Sequence, residues 1–171
     1  MLSKPLESGA LRLVPLEITH ATDFLRLANE PSIAARVNHP TPFTLEHFAT
    51  LLAQMQQNDR HFVWMMEVEG QICGMINTAS QRHPQKFQGG YWVEPAFRGR
   101  GYAGLALGLV KDFLFAQCDA IRVQAMVEPD NVPSIRVLER NGYVFEGVLA
   151  RYFPMNDVDL VDVCMYAAFA K

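Results

Sequence analysis

Long apolar runs are missing from this chain. No uninterrupted stretch approaches the roughly 18 residues that a membrane-crossing helix needs, so no membrane span is expected. The N-terminal Met-Leu-Ser-Lys-Pro-Leu-Glu-Ser-Gly carries no apolar signal core. A basic excess is missing too: 15 Lys and Arg stand against 18 Asp and Glu, for a net charge of -3. That balance argues against a nucleic-acid partner, which would call for a basic surface. Cysteine is scarce. Cys73, Cys118 and Cys164 lie far apart inside apolar runs and in no metal-ligand spacing, as expected of reduced core thiols. The five histidines form no metal spacing either, and no metal is expected. No Ser-His-Asp or Cys-His arrangement is legible, which speaks against an acyl-enzyme mechanism. These absences together describe a soluble, cytoplasmic protein without a bound metal.

What is present fits one domain spanning residues 1–171, half apolar and 19% charged, long enough to bury a core without staples. Leu11-Arg-Leu-Val-Pro-Leu16 suggests a strand, with Pro15 at its end or at a sheet edge. Residues 20–37 look helical and break near Pro31. After the turn-rich Val37–Phe43, Thr44 offers an N-cap for a helix to about Asn58, whose Leu45, Phe48, Leu52 and Met55 form one apolar stripe. From Phe62 the period shortens: Phe62–Val68 and Ile72–Ala79 read as strands joined by Glu69-Gly70, and Phe87–Val93 as a third. A helix over 102–117, a strand at Arg122–Val127, a helix at 132–141 and two strands near Val144–Tyr152 and Asp159–Ala168 complete the chain. The order β-α-α-β-β-β-α-β-α-β-β predicts an α+β fold, a mixed α/β sandwich around a mostly antiparallel sheet.

The most informative segment is Tyr91-Trp92-Val93-Glu94-Pro95-Ala96-Phe97-Arg98-Gly99-Arg100-Gly101-Tyr102-Ala103-Gly104. A strand enters a loop with two arginines and two glycines, and a helix begins at once. Glycines let neighbouring N–H groups turn inward together, and a helix N-terminus adds free donors and partial positive charge. Arg98 and Arg100 add formal charge, which together makes a cradle for a diphosphate. A glycine-rich turn with solvated arginines is the plainer alternative. Gly99-x-Gly101-x-x-Gly104 also matches the dinucleotide fingerprint, with Glu128 where a ribose-binding acid would sit. In that fold the first glycine comes directly off the strand and a second parallel half follows. Here Glu94–Arg98 intervene, and the chain ends in a hairpin.

Arg98-Gly99-Arg100-Gly101-Tyr102-Ala103 resembles the Arg/Gln-x-x-Gly-x-Gly/Ala loop of the GNAT acyltransferase superfamily. Asn131-Val132-Pro133-Ser134-Ile135-Arg136-Val137-Leu138-Glu139-Arg140-Asn141-Gly142-Tyr143 resembles that superfamily's Asn-x-x-Ser-x-x-x-Leu-x-x-x-Gly-Phe/Tyr helix, at the expected distance. The tail from Tyr143 and the Leu11–Leu16 segment look like the RimJ/RimL branch, so the resemblance covers most of the chain. The chain departs from that branch at Gly104-Leu105, where Thr-Glu is common.

The resemblance implies a GNAT-type fold and an N-acetyltransferase that uses acetyl-CoA as cosubstrate. Main-chain groups of Tyr91, Trp92 and Val93 would pair with pantetheine. Amides over Arg98, Gly99, Arg100, Gly101, Tyr102, Ala103 and Gly104 would hold the pyrophosphate, and Asn131 would touch the cofactor. Ser134 is the candidate proton donor to the departing thiolate. Glu94 is a candidate base, with His61 and Glu67 no better supported. The implied reaction is direct attack of a neutral amine on the thioester in a ternary complex. The acceptor amine, a protein N-terminus or a small molecule, would be chosen by Asn38–Phe43, Ser80–Gln88 and Tyr152–Asp159, with His39, Tyr152, Asp157 and Asp159 able to line its pocket. A homodimer is compatible with the sequence. An acyl-CoA-binding module without catalysis and an NAD(P)-dependent oxidoreductase are the alternatives.

Overall fold

The apolar run Phe62–Met66 lies in a strand covered on both faces. Phe62, Trp64 and Met66 face one helical layer while Val63 and Met65 face another. A strand sandwiched this way reads as continuous apolar sequence, because neither face can be polar. A computed structural model describes residues 5–155 and 159–170. It contains strands β1 (Leu6–Ser8), β2 (Leu11–Pro15), β3 (His61–Val68), β4 (Gln71–Ser80), β5 (Lys86–Val93), β6 (Arg122–Val127), β7 (Val144–Met155) and β8 (Asp159–Phe169). The helices are α1 (Ala21–Ala28), α2 (Pro31–Ala34), α3 (Leu45–Gln57), α4 (Tyr102–Gln117) and α5 (Val132–Arg140).

The strands form one sheet in the order β1-β2-β3-β4-β5-β6-β8-β7. Every neighbouring pair is antiparallel except β5 and β6, which α4 connects as a parallel crossover. The expected mostly antiparallel sheet is therefore present, and the expected element order gains one strand, β1. A single parallel pair followed by the antiparallel β8 leaves no second parallel half for a dinucleotide fold.

The local grammar follows the sequence. Pro31 opens α2 at its first position, and the Glu30 carboxylate accepts from the Ile33 N–H at 3.0 Å, so the helix expected to break at Pro31 becomes two. Thr44 caps α3 in a box closed by His47, whose Nδ1 accepts from the Thr44 N–H at 3.0 Å. Pro15 ends β2, inside the sheet rather than at its edge.

Two cores sandwich the sheet. Trp64, Phe87, Val110, Leu114 and Leu138 pack under α4 and α5. Phe24, Leu27, Phe48, Met65 and Trp92 pack under α1, α2 and α3. All three cysteines are buried and free, and burial pushes the Cys73 thiol up to about 11, with the Glu94 charge adding to it. Among the described residues no helix is long and apolar enough to cross a membrane.

Candidate active site

The sheet comes apart where the parallel pair should continue. β5 and β6 pair only from Lys86 with Arg122 to Gln88 with Gln124. The fork is pinned by the buried Gln124, whose Nε2 donates to Gln88 Oε1 at 2.6 Å. Beyond it Ala125–Val127 pair with β8 alone, and Gly89–Val93 pair with β4 alone. A cleft of about 490 Å³ fills the fork. Its walls include Tyr91 and Trp92 of β5, Ala125–Val127 of β6 with Glu128 just after it, Asn131 at the cap of α5 and Ser134 within it, and Arg36 and His39 from the loop after α2.

Strand alternation decides which β5 groups the fork exposes. The Glu94 N–H donates to Cys73 O of β4 at 2.8 Å, and the Trp92 carbonyl lies so close to β4 that a Cβ at Gly74 would sit 2.5 Å from it. Residues 92 and 94 therefore turn their main chain to β4, and Tyr91 and Val93 turn theirs to the fork. One of those fork-facing groups is already taken: Arg98 Nε donates to Val93 O at 2.8 Å. The open edge is thus the Tyr91 N–H, the Tyr91 carbonyl and the Val93 N–H. The main chain of Trp92, expected beside them, faces the other way, and its ring packs against Phe24 at 5.6 Å.

The fork ends at the glycine loop. Gly99 (φ 75°) and Gly101 (φ 85°) are left-handed, a conformation that costs other residues about 1–2 kcal/mol, and Gly101 is the N-cap of α4. No side chain caps that helix, so its first N–H groups have no side-chain acceptor among the described residues. The two arginines play different parts. Arg98 is tied inward, its remaining donors reaching Ser32 Oγ at 2.8 Å and the Glu30 carboxylate at 3.9 Å. Glu30 is held below the usual carboxylate range chiefly by the Ser32 hydroxyl. Arg100 is exposed, lies over the Phe97 ring at 5.4 Å and has no carboxylate partner among the described residues. Gly104 lies a turn into α4, where a Cβ would meet Asn141 Nδ2 at 3.6 Å, so it also serves the crossing of α4 with α5.

On the far wall, Asn131 caps α5, its Oδ1 accepting from the Ser134 N–H at 3.4 Å. Ser134 sits in the first turn and faces Tyr91 across the cleft. Burial raises Tyr91 above the ordinary tyrosine value, and the Ser134 hydroxyl opposes that rise. Even so, no hydrogen bond of normal geometry satisfies Tyr91 Oη among the described residues. Tyr143, also lining the cleft, is raised by burial first and then by nearby Asp112 and Tyr91.

The structure brings Tyr91, Trp92, Asn131 and Ser134 to one cleft and places Arg98–Gly104 beyond the end of its open edge. It does not bring Glu94 there. That carboxylate is 2.6 Å from Arg26 and lines a separate hollow with Asp23, Gln71, Ile72 and Phe97. Glu67 is held by Arg12 at 2.7 Å, and His61, lowered by burial, begins β3 away from the cleft. Of the acceptor segments, Asn38, His39, Gln81, Gln88, Phe153 and Met155 reach the cleft. Tyr152 is exposed outside it, Asp157 lies outside the described residues, and Asp159 starts β8 opposite Met155. Sequence reasoning missed Arg36, which reaches Asp130 at 2.8 Å and Glu128 at 3.4 Å, tying the loop after α2 to the end of β6. Ion pairs between residues this far apart in sequence leave no local signal.

An unsatisfied Tyr91 hydroxyl, an open strand edge and an uncapped helix start are the complement of a ligand with amides at one end and a diphosphate at the other. Coenzyme A has that chemistry. Comparison with known proteins agrees with it. The acetyltransferase (GNAT) domain family matches residues 10–144. The chain is 36% identical over 164 residues to the probable N-acetyltransferase YjcK of Bacillus subtilis (strain 168), covering 90% of this chain and 91% of that protein. Two solved structures share the fold. Mycobacterium smegmatis RimJ in complex with CoA-disulfide has a TM-score of 0.84 at 24% identity, covering 98% of this chain and 86% of that one. Spermidine N-acetyltransferase from Vibrio cholerae in complex with CoA and spermine has a TM-score of 0.83 at 18% identity, covering 95% and 96%. With the forked sheet and the glycine loop in place, these matches make the chain a member of the GNAT acetyltransferase family.

Proposed function

We propose that the protein transfers an acetyl group from acetyl-CoA to a primary amine by direct attack in a ternary complex. The fork between β5 and β6 carries this reading, because it leaves strand donors open along a cleft that ends at an uncapped helix. Pantetheine pairs with Tyr91 and Val93 as an added strand. The amides from Gly99 to Gly104 grip the diphosphate with help from Arg100, while Arg98 fixes the loop to α2 and β5. The Val93 N–H, pre-aimed into the cleft, stabilises the oxyanion that forms on the thioester carbonyl. Ser134 and Tyr91 supply a proton to the departing sulfur, and Asn131 holds the α5 turn against the cofactor. Glu94 pins α1 to the end of β5 through Arg26.

The acceptor is the finer question. Chains of this fold act on acceptors as different as ribosomal-protein N-termini and polyamines, and the Arg36, Glu128 and Asp130 charges at the cleft mouth would meet either. A panel of peptide N-termini, polyamines, amino acids and aminoglycosides, assayed for acetyl transfer, decides it. Turnover of none, with acetyl-CoA still bound, would make the protein an acyl-CoA-binding module. Calorimetry should show binding of acetyl-CoA and none of NAD(P).

The cradle has its own test. Arg100→Glu should weaken acetyl-CoA binding about tenfold, on the order of 1.4 kcal/mol, with a stability change below about 1 kcal/mol, since among the described residues Arg100 has only its contact over the Phe97 ring to lose. Unchanged affinity by calorimetry would remove Arg100 from the cradle.

A further inference from the structure

Two buried side-chain polar atoms among the described residues lack any hydrogen-bond partner: Tyr91 Oη and His39 Nε2. Both belong to residues lining the same cleft. Tyr91 stands on the β5 wall beside Ser134. His39 comes from the loop after α2, with Arg36, Val37 and Asn38, where an acceptor would enter.

The other ring nitrogen fixes the state of His39. Its Nδ1 lies 2.9 Å from the carbonyl oxygen of Pro40. A carbonyl only accepts, so Nδ1 carries the hydrogen, and in the neutral ring Nε2 holds a free lone pair. The ring is held in place rather than free to spin. It meets Phe43 edge to face at 5.0 Å, and Phe43 is clamped at both main-chain groups by Asn29, whose Oδ1 accepts at 2.8 Å and whose Nδ2 donates at 2.9 Å. His47 packs on Phe43 at 5.4 Å and is committed to capping α3.

Among the described residues, the other titratable groups lining the cleft are Arg36, Tyr91, Glu128 and Tyr143. Arg36 is a cation, Glu128 already faces its guanidinium at 3.4 Å, and both tyrosines are protonated donors at neutral pH. Among these described residues His39 alone offers an unengaged base.

We propose that His39 Nε2 is the proton acceptor for the incoming amine, an inference that rests on the acetyl-transfer reading. The acceptor arrives as an ammonium and gives one proton to Nε2. The freed nitrogen lone pair attacks the thioester carbonyl, the C–N bond forms, and the C–S bond breaks. The nitrogen sheds its second proton, and the departing sulfur gains one to leave as a thiol. His39 returns its proton to solvent, so the balance is ammonium plus thioester to amide, thiol and one proton.

The test compares wild type with His39→Gln in steady-state kinetics, using acetyl-CoA and the best acceptor among spermidine, an alanine-initiated peptide and an aminoglycoside. At pH 7 the variant should lose about 100-fold in kcat/KM for the amine, within the range of general-base catalysis. Its KM for acetyl-CoA should stay within about twofold, which reports an intact fold. The deficit should shrink toward pH 9.5, where the amine is deprotonated without help. A loss below about threefold, or a loss that is the same at every pH, would overturn the proposal, the second because it marks a merely structural residue. Ring-nitrogen NMR of the wild type should show the Nδ1–H tautomer, and an Nε2–H tautomer would overturn it without reference to any acceptor. A wild type silent on the whole panel would instead defeat the acetyl-transfer reading, and this proposal with it, whereas an active wild type with an unimpaired variant would defeat the His39 assignment alone.

Discussion

Removing both hydroxyls that face each other across the cleft, by Tyr91→Phe with Ser134→Ala, should lower kcat for acetyl transfer about 1000-fold while leaving the KM for acetyl-CoA within about threefold. The size follows from what the two groups do. A thiolate is a poor leaving group unless it gains a proton, so a positioned hydroxyl that delivers one lowers the barrier. Tyr91 is suited to donate because burial favours its neutral form. Among the described residues its hydroxyl makes no hydrogen bond of normal geometry, so little is lost when it turns to the ligand. Ser134 stands beside it at the first turn of α5, fixed by the Asn131 cap. If the two form one relay, each single variant should cost nearly as much as the pair, whereas independent donors would multiply. The sign of the pH dependence also follows. A raised Tyr91 keeps its proton above the ordinary tyrosine range, so the alkaline fall in kcat that depends on Tyr91 should lie higher still, and Tyr91→Phe should remove it.

Gly89→Val should destabilise the protein by about 3 kcal/mol in urea unfolding and take acetyl-CoA binding with it, whereas Gly90→Ala should change stability by less than about 1 kcal/mol. The two glycines are adjacent in β5, but their surroundings differ. A Cβ at Gly89 would stand 2.0 Å from the carbonyl oxygen of Asn77 and 3.0 Å from its carbonyl carbon. That is backbone of β4, which cannot move aside without unpairing from β5. At Gly90 the nearest atom is Asn77 Oδ1 at 3.9 Å, an ordinary contact. Because Gly89 is the first residue past the fork, forcing β5 away from β4 there also displaces Tyr91 and Val93. Equal effects of the two substitutions would show that the close approach of β4 does not hold the fork.

Most of the scaffold could be read from local pattern. The 102–117 helix was legible because a glycine pair precedes a largely apolar stretch, and β3 because the period changes at Phe62. The three-residue β1 was not, since Leu6–Ser8 is too short to show a period and its pairing with β2 is purely spatial. At the site, chain proximity misled where strand alternation governs. Glu94 follows Val93 directly, yet the pleat turns it to the opposite face, where Arg26 takes it. Trp92 likewise sends its main chain to β4. The two arginines look equivalent in sequence, but Arg98 is drawn inward by Val93 O and Ser32, contacts set by tertiary structure. The Gln88–Gln124 pin and the Arg36 bridge join residues distant in the chain, so no spacing announces them. His39 was visible as one of four residues able to line an acceptor pocket, but its free lone pair was not, since that depends on the Pro40 carbonyl and on the packing of Phe43.

The account stands on the open edge of β5 and the uncapped start of α4 as one continuous site for acetyl-CoA. Titrating the isotope-labelled protein with acetyl-CoA and following its backbone amides tests this directly. The amides of Tyr91, Val93 and residues 99–104 should shift most and become protected from exchange, while those of Trp92 and Glu94, already bonded to β4, should change little. Saturation with acetyl-CoA that left Tyr91, Val93 and the glycine loop unmoved would contradict it.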